Sequence, residues 1–352
     1  MSDPYSALPD HAFWRLGVAK AGPFALQGLI APRFPITRDL AVATAGSCFA
    51  QHVGRALRGA GLNVLDVEPA PPGLDPDTAR RFGFGLYSAR YGNIYTTRQL
   101  RQLLEDTRKT TIRPEAIWLQ DGLFRDALRP GTEPDPAPQD DVIRLRQFHL
   151  GRLKRLFSQA QVFIFTLGLT ETWEDAETGT VFPMAPGVLA APPPGREVRF
   201  LNLSIGQVLD DLSAIRKLLH RFNPDMRLLL TVSPVPLTAT ASGRHVLQAS
   251  TASKAILRAA AEDFTRAHPD VDYVPSYEII THPAARGRFF EDNLRSVTAE
   301  GVDLVMSAFL AAHGLATLPA PAAASAPAPQ PPEADPADAL ICEEALLDAF
   351  RP

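Results

Sequence analysis

Leu40-Ala41-Val42-Ala43-Thr44-Ala45-Gly46-Ser47-Cys48-Phe49-Ala50 joins a short apolar run to a Gly-Ser turn, and a helical pattern follows over about 49–60. Apolar runs of this length suit strands buried on both faces of a parallel sheet. Four more occur: Asn63 to Val67, Val162 to Leu167 entering Gly168, Arg227 to Val232 entering Ser233-Pro234, and Val271 to Val274 entering Pro275-Ser276. Helical periodicity marks about 97–108, 140–158, 206–221, 245–267 and 298–313, with Thr298 placed as an N-cap. About five parallel strands alternating with helices predict an α/β fold, a three-layer α/β/α sandwich with right-handed crossovers. Ligands of such sheets bind beyond the carboxyl ends of the strands, so the turns after the runs hold the candidate site.

Two insertions interrupt the alternation. Ala116 to Leu119 and Leu123 to Leu128, about Asp121-Gly122, read as a β-hairpin. Residues 171–201 are polar and rich in Pro and Gly, and read as a long loop over the sheet edge. The spacing divides the chain into an N-terminal extension over 1–37, an α/β domain over 38–315, a Pro/Ala-rich linker over 316–336 and a short acidic amphipathic helix over 337–352. The linker is semi-rigid by composition. The helix is too short to stand alone in water and predicts a groove, either on its own core or on a protein partner.

The chain has 352 residues, 35 basic against 39 acidic, for a net charge of −4. From Ala316 onward there are six acids and one Arg, so the remainder is close to neutral. That balance gives no reason to expect nucleic-acid binding. No apolar run is long enough to span a membrane. The first ten residues lack a basic segment and an apolar segment, and the two cysteines, Cys48 and Cys342, make no disulfide framework, so a cytoplasmic location is expected. No Cys/His cluster has zinc spacing and no phosphate-cradling Gly-rich loop is present, so neither metal nor cofactor is expected.

Ser47 carries the chemistry. A serine at a strand-to-helix turn places its Oγ at the carboxyl edge of the sheet, with its backbone N–H at a helix N-terminus facing a developing oxyanion. Cys48 is the alternative nucleophile, since a thiolate at a helix N-terminus has a lowered pKa.

The string Gly46-Ser47-Cys48-Phe49-Ala50 resembles the motif that names the GSCFA family, which looks like a branch of the SGNH/GDSL hydrolase superfamily. The resemblance continues in Tyr91-Gly92-Asn93-Ile94-Tyr95 and in Phe165-Thr166-Leu167-Gly168-Leu169-Thr170-Glu171-Thr172-Trp173. It extends through Thr231 to Pro236, Ser253-Lys254, Pro275 to Ile279 and the stretch from Arg288 to Thr298. It implies a flavodoxin-like fold and acyl-ester chemistry: a serine esterase or O-acyltransferase on an acylated carbohydrate or other hydroxylated small molecule. Ser47 would be the nucleophile, and Ser47, Gly92, Gly168 and Thr170 would face the oxyanion. Asn93, Glu171, Lys254 and Arg295 would contact substrate. The superfamily carries Asp-x-x-His before the last helix, with the His as base; here Asn293 and Ser296 stand at those places. His245 and His282 are the candidate replacements. The other expectation is a catalytically degenerate binding or adaptor protein.

Overall fold

The computed structural model describes residues 3–24, 28–132 and 135–315. The linker and the acidic helix, with Cys342, lie outside the described residues. The strands are β1 (Val42–Gly46), β2 (Ile117–Gln120), β3 (Leu123–Asp126), β4 (Val162–Leu167), β5 (Glu171–Asp175), β6 (Val181–Phe182), β7 (Val198–Asn202), β8 (Arg227–Val232) and β9 (Val271–Val274). The α-helices are α1 (Phe49–Gly59), α2 (Pro76–Arg81), α3 (Thr97–Lys109), α4 (Gln139–Gln159), α5 (Ile205–Phe222), α6 (Val246–Ala267), α7 (Ser276–Thr281) and α8 (Ala299–Ala312).

The central sheet is parallel, in the order β1-β4-β8-β9. Its strands are buried on both faces, and alternate side chains enter two separate cores. Phe163, Phe165 and Leu167 of β4 meet Leu104, Leu153, Leu212 and Leu257 from α3, α4, α5 and α6. Val162 and Ile164 face the other way, toward Phe49 and Val53 of α1, Ile280 of α7 and Val305 of α8. This is the expected α/β/α sandwich. The run Asn63 to Val67 makes only a single bridge, Val64 beside Val42, so four strands form the ladder rather than five. The cause is local. Val67 N–H already donates to the Ser88 carbonyl, and the Pro-rich stretch that follows leads away to α2.

The hairpin of β2 and β3 forms as expected about Asp121, which sits at φ +50°. The second insertion is not a loop. Residues 171–202 contain the antiparallel sheet β6-β5-β7, in which Trp173 lies opposite Phe200 with ring centroids 5.8 Å apart. Aromatic and β-branched cross-strand pairs supply the stabilisation. The Pro and Gly residues lie in the connections, so composition averaged over the segment concealed the strands.

Candidate active site

The turn after β1 depends on Gly46. Its φ is +146°, and a Cβ there would lie 2.5 Å from the Thr166 carbonyl oxygen and 2.6 Å from Thr166 Cβ. Glycine alone permits β1 and β4 to close at this point. The helix that follows begins at Phe49 with Cys48 as its N-cap, so Ser47 stands in the turn just before it and does not itself open the helix.

Ser47 is buried, and its Oγ has no hydrogen-bond partner among the described residues. Gly168, after β4, comes against it. A Cβ on Gly168 would lie 2.9 Å from Ser47 Cβ and 3.0 Å from the Tyr95 carbonyl oxygen. The first and third sequence blocks therefore meet. The second block joins them. Ile94 N–H donates to the Gly46 carbonyl at 2.9 Å, and the Tyr95 carbonyl accepts from Gly168 N–H at 3.1 Å and Leu169 N–H at 2.8 Å. Gly92 makes the turn into this segment at φ +70°.

These bonds correct part of the expected oxyanion set. The Gly168 amide is committed to Tyr95, and the Thr170 amide donates to Ser253 Oγ at 3.0 Å. Gly168 serves instead by lacking a side chain, which lets Ser47 approach. The Thr170 hydroxyl is buried and without a partner. The buried hydroxyls left without partners among the described residues are those of Thr44, Ser47, Thr166, Thr170 and Thr238. All lie on β1 and β4 or in the segments that follow β1, β4 and β8. Unsatisfied buried polar groups are rare, and their collection on β1, β4 and the segments that follow the strands makes this the candidate site.

Lys254 is buried, and its Nζ donates to the Gly168 carbonyl at 2.7 Å. Together with Ser253 it clamps the third block from α6. Asn93 is buried in a network: its Oδ1 lies 2.5 Å from Tyr87 Oη and 3.4 Å from Gln51 Nε2. The same Tyr87 hydroxyl lies 3.2 Å from the Ser47 carbonyl oxygen. Glu171 accepts from Thr240 Oγ1 at 2.7 and 2.9 Å, and burial nevertheless pushes its carboxyl above the usual range. Cys48 is buried among Phe49, Val53 and Phe289, in the apolar core beside α1.

No imidazole reaches Ser47 Oγ. His245 is exposed and caps α6, its Nδ1 accepting from Leu247 N–H at 3.2 Å. His282 packs 6.4 Å from the Phe289 ring, its Nε2 buried without a partner, and burial lowers its pKa. Asn293 and Ser296, which stand where the sequence resemblance leads one to expect an acid and a base, hold each other. Asn293 Oδ1 accepts from the amides of Arg295 and Ser296, and its Nδ2 donates to Ser296 Oγ at 3.0 Å. Arg295 belongs to this surface turn, beside the exposed Leu294 at φ +52°.

One histidine outside the sequence-predicted site is fully buried. His149 of α4 bonds Glu68 through Nδ1 at 2.8 Å, and Glu68 in turn accepts from Arg90 N–H. The pair anchors the second block, since Tyr91 follows Arg90 and its hydroxyl bonds the Thr44 carbonyl. Burial and the Arg129 guanidinium hold the His149 imidazole neutral, down to about 4, with Arg146 adding to the effect. Burial alone would raise Glu68, but the His149 bond and Arg129 outweigh it and bring the carboxyl to about 2. Both groups take up protons on unfolding in acid, so stability falls as pH drops. The His149 part is lost from about 6.5 down through 4, and the Glu68 part from about 4.5 toward 2. The expected loss between pH 6.5 and 4 is on the order of 2 kcal/mol, measured by urea midpoints. His149→Asn should be less stable at neutral pH and should flatten that slope; an unchanged slope would assign the acid sensitivity elsewhere.

Among the described residues no helix is long and apolar enough to cross a membrane. Among solved structures, the chain is similar to a carbohydrate esterase family 3 protein from Talaromyces cellulolyticus, at 9% identity and a TM-score of 0.37, covering 77% of this chain and 94% of that one. It is similar to a protein described as a GDSL-like lipase from Parabacteroides merdae, at 13% identity and a TM-score of 0.35, covering 81% and 100%. An acetyl esterase variant with acetate ion is similar at 10% identity and a TM-score of 0.32, covering 76% and 92%. No curated protein matches the sequence. The profile of the GSCFA family matches residues 41–309, which include the Ser47 turn and the second and third blocks it meets. With the match spanning most of the length and every element of the central sheet, the chain belongs to the GSCFA family.

Proposed function

We propose that the protein is an acyl-ester hydrolase or O-acyltransferase with Ser47 as nucleophile, acting on an acylated carbohydrate or another hydroxylated small molecule. The observation that carries this reading is the unpartnered Ser47 Oγ, held against Gly168 in the turn after β1. In the reaction Ser47 Oγ attacks the ester carbonyl and gives its proton to a base. The leaving alkoxide takes that proton as the C–O bond breaks. Water or an acceptor hydroxyl then attacks the acyl-serine and restores the free Oγ. The Thr170 hydroxyl is the donor for the oxyanion that the third block supplies.

The base is His245 or His282. His245 has its Nδ1 fixed by the Leu247 amide, which leaves Nε2 to react. Catalytic hydrogen bonds are commonly long before substrate binds and tighten in the complex. His245→Gln and His282→Gln, assayed on short-chain nitrophenyl esters, separate the two. The base variant should lose about 10²-fold or more in kcat, and the other should stay close to wild type.

A second reading is a binding protein that retained the crevice and lost the base. The mutual hydrogen bonds of Asn293 and Ser296 favour it, since they occupy the position where the superfamily holds its acid and base. Fluorophosphonate labelling of the intact protein decides between the two: reaction at Ser47 supports the enzyme, and complete inertness supports the binder.

A further inference from the structure

The outer face of α4 is at once apolar and basic. Leu145, Phe148, Arg152 and Arg155 follow a spacing of three, four and three residues, which sets them on one stripe of the helix. Leu145 is 38% exposed and Phe148 54%, and the Arg152 guanidinium lies 4.8 Å from the Phe148 ring centroid. A Cβ on Gly151, beside them, would meet nothing within 4 Å, so the stripe is open to an approaching surface. We propose that residues 337–352 of this chain dock on this stripe. The inference is independent of the chemistry at Ser47.

Charge selects the occupant. Arg144 of the same helix is engaged by Asp141, and Lys154 donates to Thr110 Oγ1 at 2.6 Å. Arg152 and Arg155 make no ion pair among the described residues. Thr110 follows the last residue of α3, so the exposed Arg108 and Lys109 stand at the same end as Lys154. The residues from Ala316 onward carry six acids and one Arg, while the rest of the chain is close to neutral. In that segment Glu343, Glu344 and Asp348 stand among Ile341, Leu346, Leu347 and Phe350. An acidic and apolar sequence thus meets a basic and apolar helix face. Burial of Phe148 and Leu145 supplies the affinity, and the guanidiniums supply the register.

The point of exit favours the same chain. Leu315 is the last described residue, and its carbonyl accepts from Arg38 Nη2 at 3.2 Å. Three residues after Arg38, the Ala41 amide donates to Gln161 Oε1 at 3.0 Å, and the Ala41 carbonyl accepts from Gln161 N–H at 2.8 Å. Gln161 lies two residues beyond the end of α4. The chain therefore leaves the described body at the edge of the sheet where α4 ends. Residues 316–336 span about 65 Å when extended at ~3.1 Å each. A compact body of this length has a radius of gyration of about 20 Å, so the reach is ample.

Hydrogen exchange of the full chain, read by mass spectrometry, tests the proposal. The amides of residues 340–350 should exchange tenfold or more slower in the wild type than in Arg152→Glu/Arg155→Glu. Adding Glu343→Arg/Glu344→Arg to that variant should restore the protection, and added salt should weaken it in the wild type. Phe148→Ser should remove the protection with all charges kept. It covers the case in which the charge-reversed variant is unfolded, which slow exchange in β4 and β8 checks in the same spectra. Free exchange of 340–350 in the wild type, or protection that survives both the charge reversal and Phe148→Ser, overturns the proposal. Protection that disappears on dilution together with a dimer in sedimentation also overturns it, and assigns the stripe to a second copy.

Discussion

Ser47→Ala is expected to abolish fluorophosphonate labelling and to lower ester kcat/KM by about 10³-fold or more, the usual scale for losing the nucleophile of an acyl-transfer site. The same substitution should leave the fold intact and stabilise it slightly, by up to about 1 kcal/mol. The reason is that Ser47 Oγ is buried with no partner, so removing it relieves an unsatisfied polar atom. The two effects run in opposite directions, which separates a functional role from a structural one. Retained turnover in Ser47→Ala would remove Ser47 as the nucleophile. A large fall in melting temperature would show that the hydroxyl is a structural hydrogen-bonding group.

Gly46→Ala is expected to cost about 3 kcal/mol or more, enough to leave a domain of ordinary stability partly unfolded. Two causes add. The backbone lies at φ +146°, a region that L-residues avoid, and the new Cβ would stand 2.5 Å from the Thr166 carbonyl oxygen. The obstacle is backbone of an interior strand, β4, so it does not rotate aside as a flexible side chain would. Gly187 is the control. Its φ is +84° but nothing lies within 4 Å of a Cβ there, so Gly187→Ala carries only the conformational cost, about 1 kcal/mol. Denaturant midpoints of both variants check the difference. Equal values would mean that crowding at Thr166 is relieved by a shift of β1.

The sheet and its helices were legible because burial on both faces leaves a simple signature. Val162 to Leu167 and Arg227 to Val232 are strands as read, and each of the six helices inferred from periodicity is present. The short helices α2 and α7 have six residues each, too few for a periodic stripe. The second insertion was missed because its strands have neither a continuous apolar run nor strict alternation. At the site, the meeting of Ser47 with Gly168 was legible from strand-end position alone. The use of Lys254 was not, because a lysine clamping a backbone carbonyl has no sequence pattern that sets it apart from one that holds an anion. His149 shows the same limit. Its helix gave no sign that a carboxylate 81 positions earlier would fold against it.

The clamp on the third block has a consequence for the order in which the molecule is made. The Gly168 carbonyl is held by a side chain 86 positions later in the chain, and the Ser47 carbonyl meets a tyrosine hydroxyl 40 positions later. Contacts of such separation form only after long loops close, which is slow and entropically costly. During synthesis the N-terminal part emerges first, so β1 and its turn leave the ribosome long before α6 exists to lock β4 against them. A nascent chain ending before Lys254 therefore carries the serine without the turn that frames it. The Ser47 pocket is therefore incomplete until most of the chain has been translated, and proteolysis that removes α6 should disrupt the third block while leaving Ser47 itself untouched.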